Sequence, residues 1–522
     1  MPEVHFSVRW PDGTRQRCLS PSRTIEQALT AGAAYPVEEF VRRSVAALEA
    51  GSERVREVRG FACSAAAAQA DAIIARSAGQ AGQAGHVIVE HLQPAPVPKR
   101  FPAPERIDDH VPVVVVGGGQ AGLSLSRVLG ERGVEHLVLE RDRVASSWRE
   151  QRWDSFCLVT PNYQCRLPSF PYRGADPDGF MVKEEIIAYV DAFAASFDLP
   201  LYEGVAVRCV ARDAAGSFVL STSHGELTAD QVVLAVGGYH VPTVPRMAAA
   251  LPAHVTQVHS SCYRSPQALP DGAVLVVGSG QSGAQIAEDL HVAGRTVHLA
   301  VGEAPRVARF YRGRDVVAWM EDIGHYDLPI ERHPEGLDAR KEANHYVTGR
   351  DGGHDIDLRQ FATEGMRLHG RLEAVDAGRL RFAGDLEKRL DAADATSERI
   401  KDTIDRWIDE RDLDAPAEER YVPVWSPPDG DGAHVLDPED EAITSVVWAT
   451  GFRSDWSWVD VPAFDGSGYP AHHRGVTSVD GLHVLGLPWL HTWGSGRFAG
   501  IARDAEHLGE HVVAGLREEA AA

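Results

Sequence analysis

Two glycine-rich fingerprints of one type, Val113–Gly122 (VVVVGGGQAG) and Val274–Gly283 (VLVVGSGQSG), constrain this chain more than any other feature. Each follows a run of β-branched apolar residues and opens into a helical pattern. That order predicts strand, tight turn, helix, the arrangement that receives a dinucleotide diphosphate. Gly117 and Gly278 make the turns. Gly119 and Gly280 let the backbone approach the phosphates. Gly122 and Gly283 let helix and strand pack closely. The helix N-terminus then offers unpaired N–H groups and partial positive charge to the anion. Gln281 and Ser282 occupy the variable positions of the second turn. Two such units predict a protein that brings two dinucleotides together.

At 522 residues the chain has room for roughly three domains. A formal net charge of -23 argues against a nucleic-acid partner, whose phosphates it would repel. No stretch approaches the roughly 18 apolar residues of a membrane span. The N-terminal MPEVHFSVRW lacks the basic and apolar regions of a signal peptide, so a cytoplasmic enzyme is expected. Cys18, Cys63, Cys157, Cys165, Cys209 and Cys262 form no C-x-x-C pair, so free buried thiols are expected and no metal site. Asp351, His354, Asp355 and Asp357 are acidic and imidazole groups without a complete ligand spacing; a loop with an N-capped helix is expected there.

Residues 1–92 read as a small α+β unit: strands at His5–Trp10, Thr14–Leu19 and His86–His91, and helices at Ile25–Ala34 and Val37–Ala50. A loop rich in alanine, glycine and glutamine runs over Ser77–Gly85, and residues 93–110 carry five prolines and read as a semi-rigid linker. The first nucleotide-binding domain begins at residue 111 and runs to 245. The strand His136–Glu140 ends on an acidic residue placed for the ribose hydroxyls, Glu140. A helix is expected at Lys183–Phe197 and strands at Val205–Ala211, Ser217–Thr222 and Gln231–Gly238. The second domain covers 246–315, and a partly helical region covers 316–430, with an amphipathic helix at Ala395–Leu413. Residues 431–522 return to the first domain through the strands Ser445–Ala449 and Leu482–Leu485 and a closing helix from about Ala499. The fold class is therefore α/β: two Rossmann-like domains, the second inserted in the first, after a small α+β domain.

Further motifs stand beside the fingerprints: ASSW at Ala145–Trp148 with Trp153, Thr160-Pro161-Asn162 followed by Leu167-Pro168, AVGGYHVPTVP at Ala235–Pro245, and ATGF at Ala449–Phe452 around Gly451. With these, the chain from Val111 onward resembles the flavin-containing monooxygenase family, and bacterial flavoproteins of oxidoreductase type. The family's identifying FxGxxxHSxxY is matched in part by AHVTQVHSSCY, where His259, Ser260 and Tyr263 agree and Ala253 and Val255 depart. Tyr263 stands where Baeyer–Villiger enzymes carry tryptophan, so that subclass is disfavoured. Residues 1–92 resemble small bacterial nitrogen-starvation-response proteins, an association with nitrogen metabolism.

The resemblance implies FAD at the first fingerprint and NADPH at the second, with NADH as the alternative. Hydride passes from nicotinamide to flavin, O2 forms a C4a-hydroperoxide, and oxygen goes to a nitrogen or sulfur nucleophile of a small molecule. Trp148 belongs to the segment after the ribose glutamate. Asn162 is the candidate for a hydrogen bond near the reacting flavin carbon, or else a turn former. His491, with Trp493, belongs to the loop expected to cap the flavin ring. Arg306 and Arg309 are the candidate cations for a 2′-phosphate, while Glu303 suits an NADH ribose. A homodimer is compatible with the sequence. The competing readings are an NAD(P)H-dependent flavin reductase or oxidase without oxygen insertion, and a chain dominated by an N-terminal regulatory or partner-binding module.

Overall fold

The computed structural model describes residues 4–59, 64–79, 85–94, 99–341, 344–427 and 432–521. Cys63, residues 80–84 of the Ala/Gly/Gln-rich loop and residues 95–98 of the proline-rich linker lie outside them. The chain forms two compact units, residues 1–99 and 100–522.

In the first unit, four antiparallel strands run in the order Arg15–Ser20, Val4–Arg9, His86–Pro94, Ala34–Pro36. Strict alternation in VHFSVRW sends Val4, Phe6, Val8 and Trp10 inward, where Trp10 meets the edge of Phe40. The expected helix over Ile25–Ala34 is only Thr24–Ala28. Gly32, at φ +80°, turns the chain, and Ala34–Pro36 joins the sheet edge instead. Helix Val37–Arg59 is longer than its periodic segment, and Ser64–Ala78 forms a further helix that the alanine-rich sequence did not reveal.

In the second unit, five strands of a seven-stranded sheet are parallel, in the order Leu482–Val484, Gln231–Leu234, Val113–Val116, His136–Glu140, Leu201–Glu203. The unbroken VVVV reflects burial on both faces. Val113 and Val115 pack toward Leu123, Leu125 and Leu508, while Val114 and Val116 pack toward Leu220, Leu227 and Val459. The closing helix Ile501–Ala521 lies on Gln120–Glu131, with Gly509 against Val128.

A second, wholly parallel sheet runs Thr256–His259, Ile443–Trp448, Ala273–Val277, Val297–Ala300, Arg367–His369. Val274 and Val276 face helix Gln281–Val292, and Leu275 faces Phe382 and Trp448. The strand Ile443–Trp448, which lies between Thr256–His259 and Ala273–Val277, is contributed from far along the chain, so the second domain closes only after the helical region. The outgoing and returning connections pair with each other, Val241–Pro242 antiparallel to Phe452–Arg453. The amphipathic helix spans Leu386–Glu410, starting earlier than the Ala395–Leu413 segment read from its spacing, and buries Leu386, Leu390, Ile404 and Ile408. Asp357 caps helix Leu358–Thr363, accepting from the amides of Arg359 and Gln360.

Candidate functional site

The two fingerprints fold alike. Gly117 stands at φ +109° and Gly278 at φ +102°, conformations that disfavour any side chain. A Cβ on Gly117 would lie 2.6 Å from the Ala235 carbonyl oxygen, and one on Gly278 would lie 2.6 Å from that of Ala449. Both carbonyls lie just past the strand neighbouring their fingerprint, at the start of the two segments AVGG and ATGF. A Cβ on Gly122 would lie 1.9 Å from the Gly117 oxygen, and on Gly283 1.9 Å from the Gly278 oxygen. Gly119 and Gly280 differ: a Cβ there meets nothing within 4 Å. Both cap their helices with extended backbone and no side-chain cap, which leaves the first N–H groups to a ligand. The open space at the two middle glycines, walled by glycines that tolerate no side chain, fits a diphosphate at each helix.

Glu140 ends the strand beside the first turn. Its carboxylate accepts from the Gly118 amide (2.7 Å) and the Asp142 amide (2.9 Å). Burial pushes its pKa up, and the two N–H donors oppose that. The remaining lone pairs are those a ribose hydroxyl would use. In the second half, Ser279 accepts from the Gly302 amide (2.9 Å), Gln281 donates to the Val347 carbonyl (2.6 Å), and Ser282 is exposed. Beyond the second strand of that half, exposed Glu303 stands 3.5 Å from Arg389, which also pairs with Asp385.

Arg306 and Arg309 are not turned toward that ribose position. Arg306 is 4% exposed and ringed by Asp355, Asp357 and Asp394. Arg309, 1% exposed, donates to the Val159 carbonyl and pairs with Asp315. A 2′-phosphate would have to compete with these carboxylates to reach either guanidinium. Asn162 is fully buried, and both ends of its amide are committed: it donates to the Asp176 carbonyl (2.9 Å) and accepts from the Met181 amide (2.7 Å). It fixes a loop, as the turn-forming alternative of the sequence reading expects.

Trp148 and the capping loop come together. Trp148 stacks on Phe498 with ring centroids 5.8 Å apart, and Gln120, the first residue of the fingerprint helix, donates to the Gly496 carbonyl (2.9 Å). In the same loop the amides of His491 and Thr492 donate to Ser495 Oγ. The His491 carbonyl accepts from the Ile330 amide (2.7 Å), and Trp493 packs on Tyr326 at 4.5 Å. The region after the second domain thus folds against the loop before the last helix. Burial, helped by Arg474, pushes the His491 imidazole below the usual histidine pKa, and its Nδ1 has no hydrogen-bond partner among the described residues. Gly451, at φ +79°, joins the halves: its carbonyl accepts from the Thr243 amide (2.9 Å) and from His259 Nε2 (3.0 Å). The histidine of the partial HSxxY motif therefore ties a sheet strand to the returning connection, and Tyr263 donates to Asp289 (2.7 Å).

Of the cysteines, Cys18, Cys157 and Cys165 are buried, and burial pushes the Cys157 and Cys165 thiols up to about 12. Cys262 is exposed, which corrects the expectation that the thiols are all buried. His354 pairs with buried Glu288 at 2.6 Å. Gln120, Phe498 and Tyr326 were not singled out from sequence. Gln120 could have been found as the variable fingerprint position that opens the helix; nothing local marks Tyr326.

Residues 5–92 match the family of nitrogen starvation-induced protein NitG, and residues 114–321 match pyridine nucleotide-disulphide oxidoreductases. The chain is 30% identical over 402 residues to a CzcO-like oxidoreductase of Geobacillus kaustophilus (strain HTA426), covering 76% of this chain and 97% of that one. It is 32% identical over 294 residues to the indole-3-pyruvate monooxygenase YUCCA1 of Oryza sativa subsp. japonica, covering 53% and 69%. Among solved structures, a flavin-containing monooxygenase from Stenotrophomonas maltophilia shares the fold at a TM-score of 0.52 and 19% identity, over 78% of this chain and 99% of that one.

Proposed function

From the premise that the chain belongs to the CzcO-like family of FAD- and nicotinamide-dependent, monooxygenase-like oxidoreductases, we propose that it is a monooxygenase acting on a nitrogen or sulfur nucleophile of a small molecule. The observation that carries this reading is the pair of matched nucleotide cradles at Gly117–Gly122 and Gly278–Gly283, joined through Gly451, in a chain without a C-x-x-C pair. Electrons collected from a nicotinamide then have no C-x-x-C dithiol to reach.

Bound FAD would take hydride from the nicotinamide and activate O2 for transfer to the nucleophile. The chain supplies the rest. Gly119 and the first turn of Gln120–Glu131 hold one diphosphate, Gly280 and Gln281–Val292 the other. Glu140 orients the first ribose. The Trp148–Phe498 stack and the Thr492–Phe498 loop would exclude water from a flavin ring held beside them. His491, whose imidazole burial pulls below the usual histidine pKa, places its Nδ1 beside that loop, 4.0 Å from Glu331. Asn162 acts only by holding the Asp176–Met181 turn. Residues 1–92 form an accessory module with a core of their own.

The test is anaerobic reduction with NADPH, then mixing with O2. A spectroscopically distinct flavin species that outlives reoxidation of free flavin supports the reading. Immediate return of oxidised flavin with stoichiometric H2O2, with and without candidate amines and thioethers, refutes it in favour of an oxidase.

A further inference from the structure

This chain has more acidic than basic residues, and its buried arginines are paired. Arg149 meets Asp191, Arg359 meets Asp391 and Asp394, and Arg306 and Arg309 are enclosed by aspartates. Arg152 and Arg497 are different. The Arg152 guanidinium lies 5.2 Å from the Trp148 ring centroid and 5.5 Å from that of Phe156, and its side chain donates to the Gln151 carbonyl (2.9 Å). The Arg497 guanidinium lies 3.8 Å over Trp493 and donates to the Trp493 carbonyl and to Asn344 Oδ1 (2.7 Å). Neither has a carboxylate partner among the described residues.

The segments that carry them touch. Trp148, under Arg152, stacks on Phe498, the residue after Arg497. Both guanidiniums lie within electrostatic reach of the Tyr239 hydroxyl. Tyr239 packs on Phe452 at 5.4 Å, on the paired connections between the two nucleotide-binding halves, and is 54% exposed. Burial pulls both guanidiniums below the usual arginine pKa, so each carries a desolvation cost that no carboxylate among the described residues offsets. A cationic fork laid on an aromatic face is matched to a planar anion, which it meets through two parallel hydrogen bonds.

We infer that Arg152 and Arg497 together receive the anionic group of a ligand that enters at the junction of the two halves. The flanking Trp148, Phe156 and Trp493 suit a planar or aromatic organic acid as the substrate class. The same chemistry could be met by the diphosphate of the nicotinamide dinucleotide. The inference rests on the reading that both fingerprints hold dinucleotides and that their reacting ends meet at this junction.

The experiment uses full-length, flavin-loaded, oxidised protein. Phenylacetate, its uncharged counterpart phenylacetamide, and NADP+ are titrated separately against flavin absorbance and tryptophan fluorescence. Arg152→Gln, Arg497→Gln and the charge-keeping Arg497→Lys are compared, with flavin content and melting temperature checking their fold. A charged hydrogen-bond pair lost from a half-buried site weakens binding about 10- to 100-fold. Phenylacetate should bind wild type at least about tenfold tighter than phenylacetamide, each Gln variant should lose that advantage, and Arg497→Lys should recover part of it. If the Gln variants instead weaken NADP+ and spare phenylacetate, the receptor stands and its anion is the coenzyme's. If neither affinity moves by more than about twofold in folded, flavin-loaded variants, the inference is overturned. Because the readout is equilibrium binding to oxidised protein, an enzyme that releases only H2O2 would defeat the oxygen-transfer reading and leave this result intact.

Discussion

Alanine at two glycines of one turn separates a ligand cradle from a packing contact. Gly119 has φ -76° and ψ -177°, which alanine adopts without strain, and its Cβ would meet nothing within 4 Å. Losing glycine at this helix cap costs the apo fold at most about 1 kcal/mol. The same Cβ projects into the space where a diphosphate would approach the backbone. Gly119→Ala should therefore fold normally and bind FAD about 100-fold more weakly, equivalent to about 2.8 kcal/mol. Gly122 is the reverse case. Its Cβ would stand 1.9 Å from the Gly117 oxygen and 3.3 Å from Val115 Cγ1, against an ordinary contact of 3.4–4 Å. Relief requires roughly 1.5 Å of movement between strand and helix, beyond the usual overpacking cost of about 1–3 kcal/mol. Gly122→Ala should lower the melting temperature of flavin-free protein by several degrees and lose FAD as a consequence. The assay is calorimetry of the apo proteins, then FAD titration followed by fluorescence quenching. A Gly119→Ala protein with wild-type FAD affinity, or a Gly122→Ala apo protein with unchanged melting, would refute the reasoning.

Arg306→Ala should destabilise the second unit by about 1.5–3 kcal/mol, because the buried guanidinium's charged contacts to Asp394 and Asp357 are lost while Asp394 keeps Arg359 and Asp357 keeps its two helix-cap amides; the NADPH-to-NADH ratio of kcat/KM should stay unchanged. Glu303→Ala should raise that ratio several-fold by releasing Arg389 beside the ribose position, as read by steady-state flavin reduction. Burial would raise the Glu203 pKa, but the Arg100 guanidinium (2.8 Å) and the Val144 and Phe101 amides hold it below the usual carboxylate value. A depressed folded pKa gives stability that is present above the unfolded carboxylate value of about 4.3 and lost as pH falls through the folded one. Glu203→Gln should therefore destabilise at pH 7 and flatten the acid limb of urea denaturation. Residues 100–522 expressed alone should retain FAD and its reduction rate, since the core built on Trp10 and Phe40 is confined to the first unit.

The parts of the fold visible in sequence are those where pattern and burial coincide. Val113–Val116 and Val274–Val277 are apolar at every position because both faces are covered, and glycines follow at fixed offsets. His136–Glu140 and the helix at Lys183 were legible for the same reason. Ser64–Ala78 was not, because a run of alanines carries little contrast between its faces. Around the site, the failures are failures of partnership. The charge of Arg306 is plain in the chain, but Asp355, Asp357 and Asp394 lie far downstream, and nothing local says that they enclose it. Arg152 and Arg497 look like any other arginines until the structure gives them aromatic faces and no carboxylate partner among the described residues. Asn162 looks available until Asp176 and Met181 claim its amide.

The strand Leu482–Val484 lies beside Gln231–Leu234, and the helix Ile501–Ala521 covers Gln120–Glu131. During synthesis, the second sheet can close once Ile443–Trp448 has left the ribosome, whereas the first must wait for the last helix. The inserted half therefore completes its fold before the half that surrounds it. Nascent chains stalled past residue 448 should already protect the second sheet from proteolysis, while Val113–Val116 still lacks its final neighbours. Long-range pairings of this kind are slow to form, so the glycine turn that is made first is the one finished last.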